Sequence, residues 1–386
     1  MRKIFVFVLF QLVVFAVGIG TSYAVEAIKV GAIYSTTGDM SSIDSDSLRG
    51  VRLAVDQINS AGGLLDGRPL VVLVEDAKSR EDSAAMAAIQ LLERRVSACF
   101  GHNDPNFVYP SASLFQKAGI PFITSGATLP DLPERIGDHF FMVAFGDDQQ
   151  AYAIADYAVE RLKVKKAIIL QNNSADFTRT LSKYFQSRFL SRGGEIVFQG
   201  SYLRKRENFS LLLEELLPYK NSVDCIFVAG LPDDAAPMVK NLRQAGFDQP
   251  ILSGDGFDTP LLGGLDKQHG KNVYFSSHAV RNNSDKQKYF ERLYYNRYGV
   301  FPQTAFAALG YDAVMLWRHA VEKSGSAFPL NVRDALQEVR QFNGVTGQLS
   351  YSETGGVPRK DVAITVLKNK KMEHKALWNP QTSAFK

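Results

Sequence analysis

The feature that most constrains the fold is a regular alternation of short apolar segments with helix-length segments. In the first half of the chain, strand-like runs occur at 28–35, 70–75, 98–101, 120–124 and 140–144, and helix-like segments separate the first four. The strand-like runs are apolar or β-branched, whereas the intervening segments repeat apolar residues at intervals of three and four. This order predicts a doubly wound parallel sheet, so the predicted fold class is α/β.

The alternation restarts in the second half, and one stretch there nearly copies a stretch of the first half. Residues 116–128 read QKAGIPFITSGAT, and residues 243–256 read RQAGFDQPILSGDG. Both contain a helix end, a glycine that can cap it, a proline and a short strand, and both then open into a Ser-Gly loop. A chain of this length has room for two domains, and two similar lobes would present these loops to each other across a cleft.

Residues 1–24 have the composition of a cleavable signal peptide. Arg2 and Lys3 precede a nearly continuous apolar run, and Ser22-Tyr23-Ala24 places small residues at the two positions that a signal peptidase reads. We therefore expect export with cleavage after Ala24, which leaves 362 of the 386 residues. The next residue is valine rather than cysteine, which argues against a lipoprotein anchor, and the apolar run is short for a membrane span.

Charge and motif content argue against several functional classes. Without the signal peptide the formal net charge falls from +4 to +2, which gives no case for nucleic acid or a membrane surface as partner. The chain has no Gly-x-Ser-x-Gly elbow, no Gly-x-x-x-x-Gly-Lys phosphate loop and no Gly-x-Gly-x-x-Gly after the first strand. Its six histidines show no metal-ligand spacing. We therefore expect no cofactor, no metal site and no enzymatic activity.

His102 and the two cysteines give weaker signals. His102 follows a strand, where it either faces the predicted cleft or is satisfied by backbone hydrogen bonds. Cys99 and Cys225 each lie in an apolar strand-like run and fall in different halves of the chain. We expect buried free thiols rather than a disulfide.

Two loops that follow neighbouring strands form one half of a predicted ligand site. Because the carboxyl ends of parallel strands meet at one edge of a sheet, Asn103–Asn106 and Ser125–Thr128 should lie side by side. Thr128 offers a hydroxyl and a backbone N–H in a Gly-Ala-Thr loop.

The second half supplies candidates for the opposite wall. Asp255 lies between two glycines, which let a ligand approach the backbone closely, and a carboxylate in a closed cleft needs a partner such as a ligand ammonium. Alternatively, Asp255 caps the segment that starts at Asp258 or stabilises its own turn. Phe177 follows the polar loop 171–176 and is either a cleft wall or part of the core.

A set of short motifs occurs in order along residues 28–367. They are Gly31-Ala32 with the Thr37-Gly38 loop, Ala54-x-x-x-Ile58-Asn59-x-Ala61-Gly62-Gly63, Glu75-Asp76, Gly119-Ile120-Pro121, Ser125-Gly126-Ala127-Thr128 and Gly254-Asp255-Gly256. Together they resemble the leucine/isoleucine/valine-binding protein family, the periplasmic solute receptors of ABC importers. The resemblance implies a type I periplasmic-binding-protein fold, in which two Rossmann-like lobes with parallel sheets are joined by three hinge crossings. We expect an N-terminal lobe of 25–145 and 279–346 and a C-terminal lobe of 146–278 and 347–386.

The resemblance also implies which residues contact the ligand. In amino-acid-binding members, a Ser/Thr-bearing loop after the third strand and the Gly-Ala-Thr loop hold the ligand α-carboxylate. The Gly-Ala-Thr loop and the acid of the Gly-acid-Gly loop hold the α-ammonium. The implied ligand-binding residues of this chain are Asn103, Asn106, Ser125, Gly126, Ala127, Thr128, Phe177, Leu231 and Asp255. Phe177 falls where an aromatic ring often stacks on the ligand, and Leu231 falls near a position that is often tyrosine.

The chain departs from the family pattern at Pro105, which occupies the place of a serine that holds the ligand carboxylate. Proline has neither a hydroxyl nor an N–H, and Asp104 beside it would repel a carboxylate that it faced. Asn103 or Asn106 could compensate with amide donors. The predicted solute is therefore small and polar: an amino acid by family default, or an amide, a urea-like or an aromatic carboxylic solute.

The predicted function is that of a periplasmic solute-binding component of an ABC importer. Its lobes would close on the solute and present it, as a monomer, to an ABC permease in the inner membrane. The alternative is a periplasmic sensor subunit that reports its ligand to a receptor kinase or chemoreceptor. The two alternatives share the fold, which therefore does not separate them.

Overall fold

The fold is built on two β-sheets, and the computed structural model describes residues 26–203, 209–280, 284–352 and 355–386. The predicted signal peptide lies outside these residues. The elements of the first half are β1 (Ile28–Tyr34), α1 (Ser41–Ser60), β2 (Leu70–Asp76), α2 (Glu81–Glu93), β3 (Cys99–Gly101), α3 (Pro105–Lys117), β4 (Phe122–Thr124), α4 (Leu132–Ile136) and β5 (Phe140–Met142). The five strands form one parallel sheet in the order β2-β1-β3-β4-β5.

The second half repeats this arrangement around a larger sheet. Its elements are α5 (Asp147–Glu160), β6 (Lys166–Asn172), α6 (Asp176–Ser191), β7 (Glu195–Tyr202), α7 (Ser210–Leu216), β8 (Cys225–Ala229), α8 (Pro232–Gln244), β9 (Ile251–Ser253) and β10 (Val273–Ser277). Short 3-10 turns occur at Leu217–Tyr219, Asp255–Phe257 and Pro260–Gly264. The five strands are parallel in the order β10-β9-β8-β6-β7, which confirms the predicted α/β class.

The last part of the chain extends the larger sheet and adds a separate three-stranded sheet. It contains α9 (Asp285–Tyr298), α10 (Phe306–Ser324), α11 (Pro329–Gln337), β11 (Phe342–Gly344), β12 (Gly347–Ser352), β13 (Gly355–Arg359), β14 (Val362–Lys368), β15 (Lys371–Asn379) and β16 (Ala384–Phe385). β14, β15 and β16 extend the larger sheet as antiparallel strands, and the separate sheet has the order β11-β12-β13. The sequence pattern predicts strands at 347–351 and 362–367, which correspond to β12 and β14, but it misses β11, β13, β15 and β16. In β15 the buried residues are interrupted by exposed polar ones, which is typical of antiparallel strands with one solvated face.

The first helix shows how local sequence produces a packed element. Leu48, Val51, Val55 and Ile58 are all buried, which confirms the predicted apolar face. The helix ends before two glycines with positive φ, where the absence of a Cβ removes the steric penalty. The apolar spacing predicts this helix over residues 45–61. The helix begins four residues earlier, at Ser41, and this places Asp44 in its first turn.

The hydrophobic core divides between the sheets. One cluster surrounds the first sheet and includes residues of α9, α10 and α11. The larger sheet is buried on both faces, because Ala167 and Ile169 of β6 face one cluster while Ile168 and Leu170 face another. Both cysteines are buried and free, as predicted. Among the described helices, none is long and apolar enough to cross a membrane.

The chain passes between the two sheets after β5, between β10 and α9, and again after β13. The first and third passages are tied together, because Gln149 Nε2 donates to the Pro358 carbonyl at 3.1 Å and Lys360 Nζ donates to the Val143 carbonyl at 3.3 Å. Leu349 and Tyr351 pack into the first core, although they follow the predicted boundary at residue 346. The lobe boundaries stay predictions.

Helices α1 and α10 approach each other so closely that glycine is required at the contact. A Cβ at Gly50 would lie 1.9 Å from the Ala307 carbonyl oxygen, and a Cβ at Gly310 would lie 2.0 Å from the Ser47 carbonyl oxygen. The Ser47 hydroxyl also donates to the Phe306 carbonyl at 3.1 Å. The contact fixes the beginning of α10 beside the beginning of α1.

We expect Gly50→Ala to destabilise the protein. Alanine favours a helix by about 1 kcal/mol over glycine, but the overlap with the Ala307 carbonyl must push the two helices apart. The net loss of unfolding free energy should be about 1–3 kcal/mol, measured by urea denaturation. Gly264→Ala is the matched control, since a Cβ there meets no atom within 4 Å. Equal stability of the two variants would contradict the proposed role of the helix contact.

Candidate functional site

A narrow cleft lies where the loops of the two sheets face each other. The first sheet and its helices contribute Met40, Ile43, Asn103, Asp104, Pro105, Gly126, Thr128 and Phe306, and the second contributes Phe177, Leu231, Pro232, Asp255 and Gly256. The cavity between them has a volume of about 20 Å³. This is room for about one water molecule.

Six of the nine residues predicted from the sequence line this cleft: Asn103, Gly126, Thr128, Phe177, Leu231 and Asp255. Ser125 and Ala127 are fully buried beside the loop glycine and are not part of the lining. Asn106 is half-buried in the first turn of α3 and is also not part of the lining. Phe177 belongs both to the cleft wall and to a core cluster, so its two predicted roles are compatible.

The Asn103 side chain is held by a buried network of hydrogen bonds. Its Nδ2 donates to Asp44 Oδ1 at 2.6 Å and to Ser47 Oγ at 3.0 Å. Its Oδ1 accepts from Ser125 Oγ at 3.0 Å, and that hydroxyl in turn accepts from Tyr34 at 3.1 Å. The Asn103 amide is therefore occupied within the protein.

Asp44 is the charged centre of this network, and sequence reasoning missed it. Burial raises the pKa of Asp44 to about 7, against hydrogen bonds from the Ser35 N–H and from Asn103 that favour the carboxylate. The nearby charge of Asp104 adds to the rise in the pKa. In the sequence, the signal for this role is a polar residue, Asp44, among the apolar positions of α1. Its hydrogen-bond partners lie on other elements, so the sequence does not identify them.

Pro105 and Asp104 have a local structural role at the start of α3. Asp104 is the N-cap residue, and its Oδ1 accepts from the Asn106 N–H at 2.9 Å. Pro105 occupies the first position of the helix, where its missing N–H has no helical partner to lose. The residues that differ from the family pattern thus form a regular helix cap.

His102 lies in the core beneath this loop. Its ring stacks on Phe122 with centroids 6.1 Å apart, and it is not part of the cleft lining. Neither ring nitrogen has a hydrogen-bond partner among the described residues, so the interpretation that backbone groups satisfy it is wrong. Burial lowers the pKa of His102 to about 3, which keeps the imidazole neutral.

Asp255 has a partner inside the protein that sequence reasoning missed. Its Oδ2 lies 2.8 Å from His278 Nε2, and its backbone N–H donates to Gln150 Oε1 at 2.9 Å. The His278 ring stacks on Phe145 with centroids 3.8 Å apart. Asp255 and His278 follow the neighbouring parallel strands β9 and β10, so the rule that strand ends meet would have paired them.

A second buried chain of hydrogen bonds links the Thr128 loop to the Asp255 loop. The Asp147 N–H donates to the Thr128 carbonyl at 2.8 Å, and Gln150 Nε2 donates to Asp147 Oδ1 at 2.9 Å. Gln150 Oε1 also accepts from Ser276 Oγ at 2.6 Å. Burial raises the pKa of Asp147 well above its ordinary value, and the charge of Asp255 adds to that rise. The first turn of α5 therefore couples the two walls of the cleft.

The arrangement is suited to holding a small molecule. Within the described parts of the chain, no group of three or more His, Cys, Asp or Glu side chains could hold a metal ion. The cleft combines apolar walls with a few polar groups that converge from both lobes, which is the usual form of a small-molecule site. Fold and site together define a two-lobed solute-binding protein of the type I periplasmic class.

Comparison with known proteins gives the family. A family model described as periplasmic binding protein matches residues 27–372, and the chain belongs to that family. It is 25% identical to Leu/Ile/Val-binding protein homolog 3 of Brucella melitensis over 347 residues, which are 89% of this chain and 92% of that protein.

Two solved structures share the fold along almost the whole chain. LivJ of Streptococcus pneumoniae, a branched-chain amino acid transporter substrate-binding protein in complex with isoleucine, is 29% identical, with a TM-score of 0.83 and coverage of 91% of this chain and 99% of that one. The leucine-binding protein LivK of Thermotoga maritima is 26% identical, with a TM-score of 0.84 and coverage of 92% and 100%. The family and the type I fold predicted from the sequence are confirmed.

We expect Asp44 to make stability depend on pH. The pKa of Asp44 is about 7 in the folded protein against 3.8 for an ordinary aspartate, so the folded state binds more protons between these values. Its contribution to stability should be greatest below about pH 4 and fall as the pH rises towards 7, by at most about 4 kcal/mol.

Urea denaturation of the wild type and Asp44→Asn at about pH 5 and about pH 8 checks this expectation. The variant should lose less stability than the wild type between these two values, because its side chain does not titrate. The same pH dependence in both proteins would show that Asp44 is ionised throughout.

Proposed function

We propose that this protein is the solute-binding component of an ABC importer, and that it binds a small solute between two closing lobes. The observation that carries the proposal is the convergence of six predicted ligand residues, from loops of both sheets, on one cleft. The family match and the transporter names of the relatives support a transport role. They do not favour the alternative of a sensor subunit.

The remaining parts of the proposal concern location and partners. We propose export to the periplasm after cleavage behind Ala24, action as a monomer without catalysis, and delivery of the solute to an inner-membrane ABC permease. The membership in the periplasmic binding protein family supports this location. An amino acid is the default solute of the family, and the Leu/Ile/Val-binding names of the relatives agree with it.

Binding would proceed by a hinge movement. The cavity of about 20 Å³ is smaller than an amino acid, so in this proposal the lobes separate to admit the solute. Solute would first meet the Thr128 side, and closure would then bring Asp255 and Phe177 onto it. The bonds from Gln149 to Pro358 and from Lys360 to Val143 would let two of the three crossings bend as one unit.

The lobes are proposed to comprise 25–145 with 279–346, and 146–278 with 347–386. The separate cores of the two sheets support two lobes. The core contacts of Leu349 and Tyr351 favour moving the last boundary to the end of β13.

A thermal-shift screen of the protein without its signal peptide tests the proposed function. Amino acids, amides and small carboxylates should be compared, because a solute that binds only the folded protein raises the melting temperature by mass action. Small-angle scattering with and without the stabilising solute would then report closure. A panel in which no solute stabilises the protein would count against solute binding.

We expect Asp255→Ala to abolish binding of the solute found in that screen. The variant removes the acid that lines the second wall and leaves His278 without its partner. Calorimetry on the variant should show no binding, while circular dichroism shows a folded protein.

Asp266→Ala is the matched control. Asp266 belongs to the same lobe and also pairs with a histidine, His269, at 2.7 Å, but its side chain is 61% exposed. Its loss should leave affinity unchanged. Unchanged affinity in Asp255→Ala would remove Asp255 from the site.

A further inference from the structure

We propose that the solute is a cation with an ammonium head and an apolar body, and that it carries no carboxylate. The inference rests on the proposed solute-binding function and narrows it, since a zwitterionic amino acid would then not be the preferred ligand. It is carried by the charges that line the cleft and by the hydrogen bonds that occupy the donors of the 103–106 loop.

The charge of the cleft lining is negative. Its described residues include the carboxyl groups of Asp104 and Asp255 and no Lys, Arg or His side chain. Both acids are buried, and buried like charges interact strongly because little solvent screens them. A ligand carboxylate would therefore meet repulsion, whereas a ligand ammonium would meet attraction.

In the 103–106 loop, the donors that could hold a carboxylate are already occupied or absent. Both amide hydrogens of Asn103 are directed at Asp44 and Ser47, and the Ser125 hydroxyl is directed at Asn103 itself. Pro105 supplies no donor, and the N–H of the next residue bonds to Asp104. The 103–106 loop thus turns its hydrogen bonds inwards, away from the cleft.

His278 does not cancel the charge of Asp255. Its Nε2 lies 2.8 Å from Asp255 Oδ2, but its buried Nδ1 has no hydrogen-bond partner among the described residues. A doubly protonated ring would bury an unsatisfied N–H, which is costly, so the neutral form with its proton on Nε2 is favoured. Burial also lowers the pKa of His278. The imidazole then orients the carboxylate by donating to it and leaves its negative charge for the ligand.

The rest of the lining selects an apolar body. Met40, Ile43, Phe177, Leu231 and Phe306 supply side chains from both walls. Burying aliphatic or aromatic groups of a ligand against these side chains is favourable, whereas burying a second charge there is not. A primary amine on a branched aliphatic chain satisfies the acid and these walls together.

Calorimetry with four solutes that share the branched side chain of leucine tests the inference on the whole protein without its signal peptide. Leucine carries both charges, leucinamide and 3-methylbutylamine keep only the ammonium, and 4-methylpentanoate keeps only the carboxylate. We expect both amines to bind at least tenfold more tightly than leucine, and 4-methylpentanoate not to bind. Leucine binding as tightly as the amines, binding of 4-methylpentanoate, or failure of both amines to bind would each overturn the inference. Tight leucine binding with lobe closure would leave the proposed function intact.

Pro105→Ser provides a second test, because it restores an N–H and a hydroxyl to the 103–106 loop. The ratio of leucine affinity to 3-methylbutylamine affinity should rise at least tenfold, because leucine binds more tightly while the affinity for the amine does not change. The melting temperature of the unliganded variant reports whether the helix cap survives. An unchanged ratio in a folded variant would show that this loop does not decide the discrimination against carboxylate.

Discussion

The cleft depends on carboxyl groups that are removed from water and must find partners in the protein. Asp44 is held by Ser35 and Asn103, Asp147 by Gln150, and Asp255 by His278. An unpaired buried carboxylate is far more costly than a paired one, so each acid fixes the loops that supply its donors. The polar groups of the site are therefore arranged mainly around one another, and this pre-organises the walls before a solute arrives.

A buried acid that accepts several hydrogen bonds also holds the chain where it passes between the lobes. Asp312 of α10 accepts hydrogen bonds from the Val345 and Thr346 backbone at 2.8 Å and from the Thr346 hydroxyl, which accepts in turn from Lys360 Nζ at 2.6 Å. Burial lowers the pKa of Lys360 to about 8, while the charge of Asp312 opposes the change. This chain of contacts joins a helix of the first core to Lys360, which lies between β13 and β14, so it anchors the third crossing to that helix.

Much of the fold could be predicted from local patterns. The apolar face of α1, the glycines that end it, and the strands that carry the Asn103 and Thr128 loops were all predictable, because periodicity and turn chemistry are encoded within a few residues. The antiparallel strands β11, β13, β15 and β16 were not, because their residues do not form continuous apolar runs. Parallel topology also predicted that the two loops and Asp255 would face one cleft, and six of the nine residues named from the sequence line it.

The sequence by itself determined the class of fold, the family and the positions of the loops that line the cleft. Only the tertiary structure decided which groups the polar side chains in those loops bond to. Asn103 bonds to Asp44, which is 59 residues away along the chain, and the Asp255 carboxylate pairs with His278, which is 23 residues away. The Asp255 N–H bonds to Gln150, which is 105 residues away. The partner of a buried acid is a property of packing rather than of spacing along the chain. For that reason the sequence predicted which loops line the cleft, while the pairing of the buried charges in those loops was decided by the folded structure.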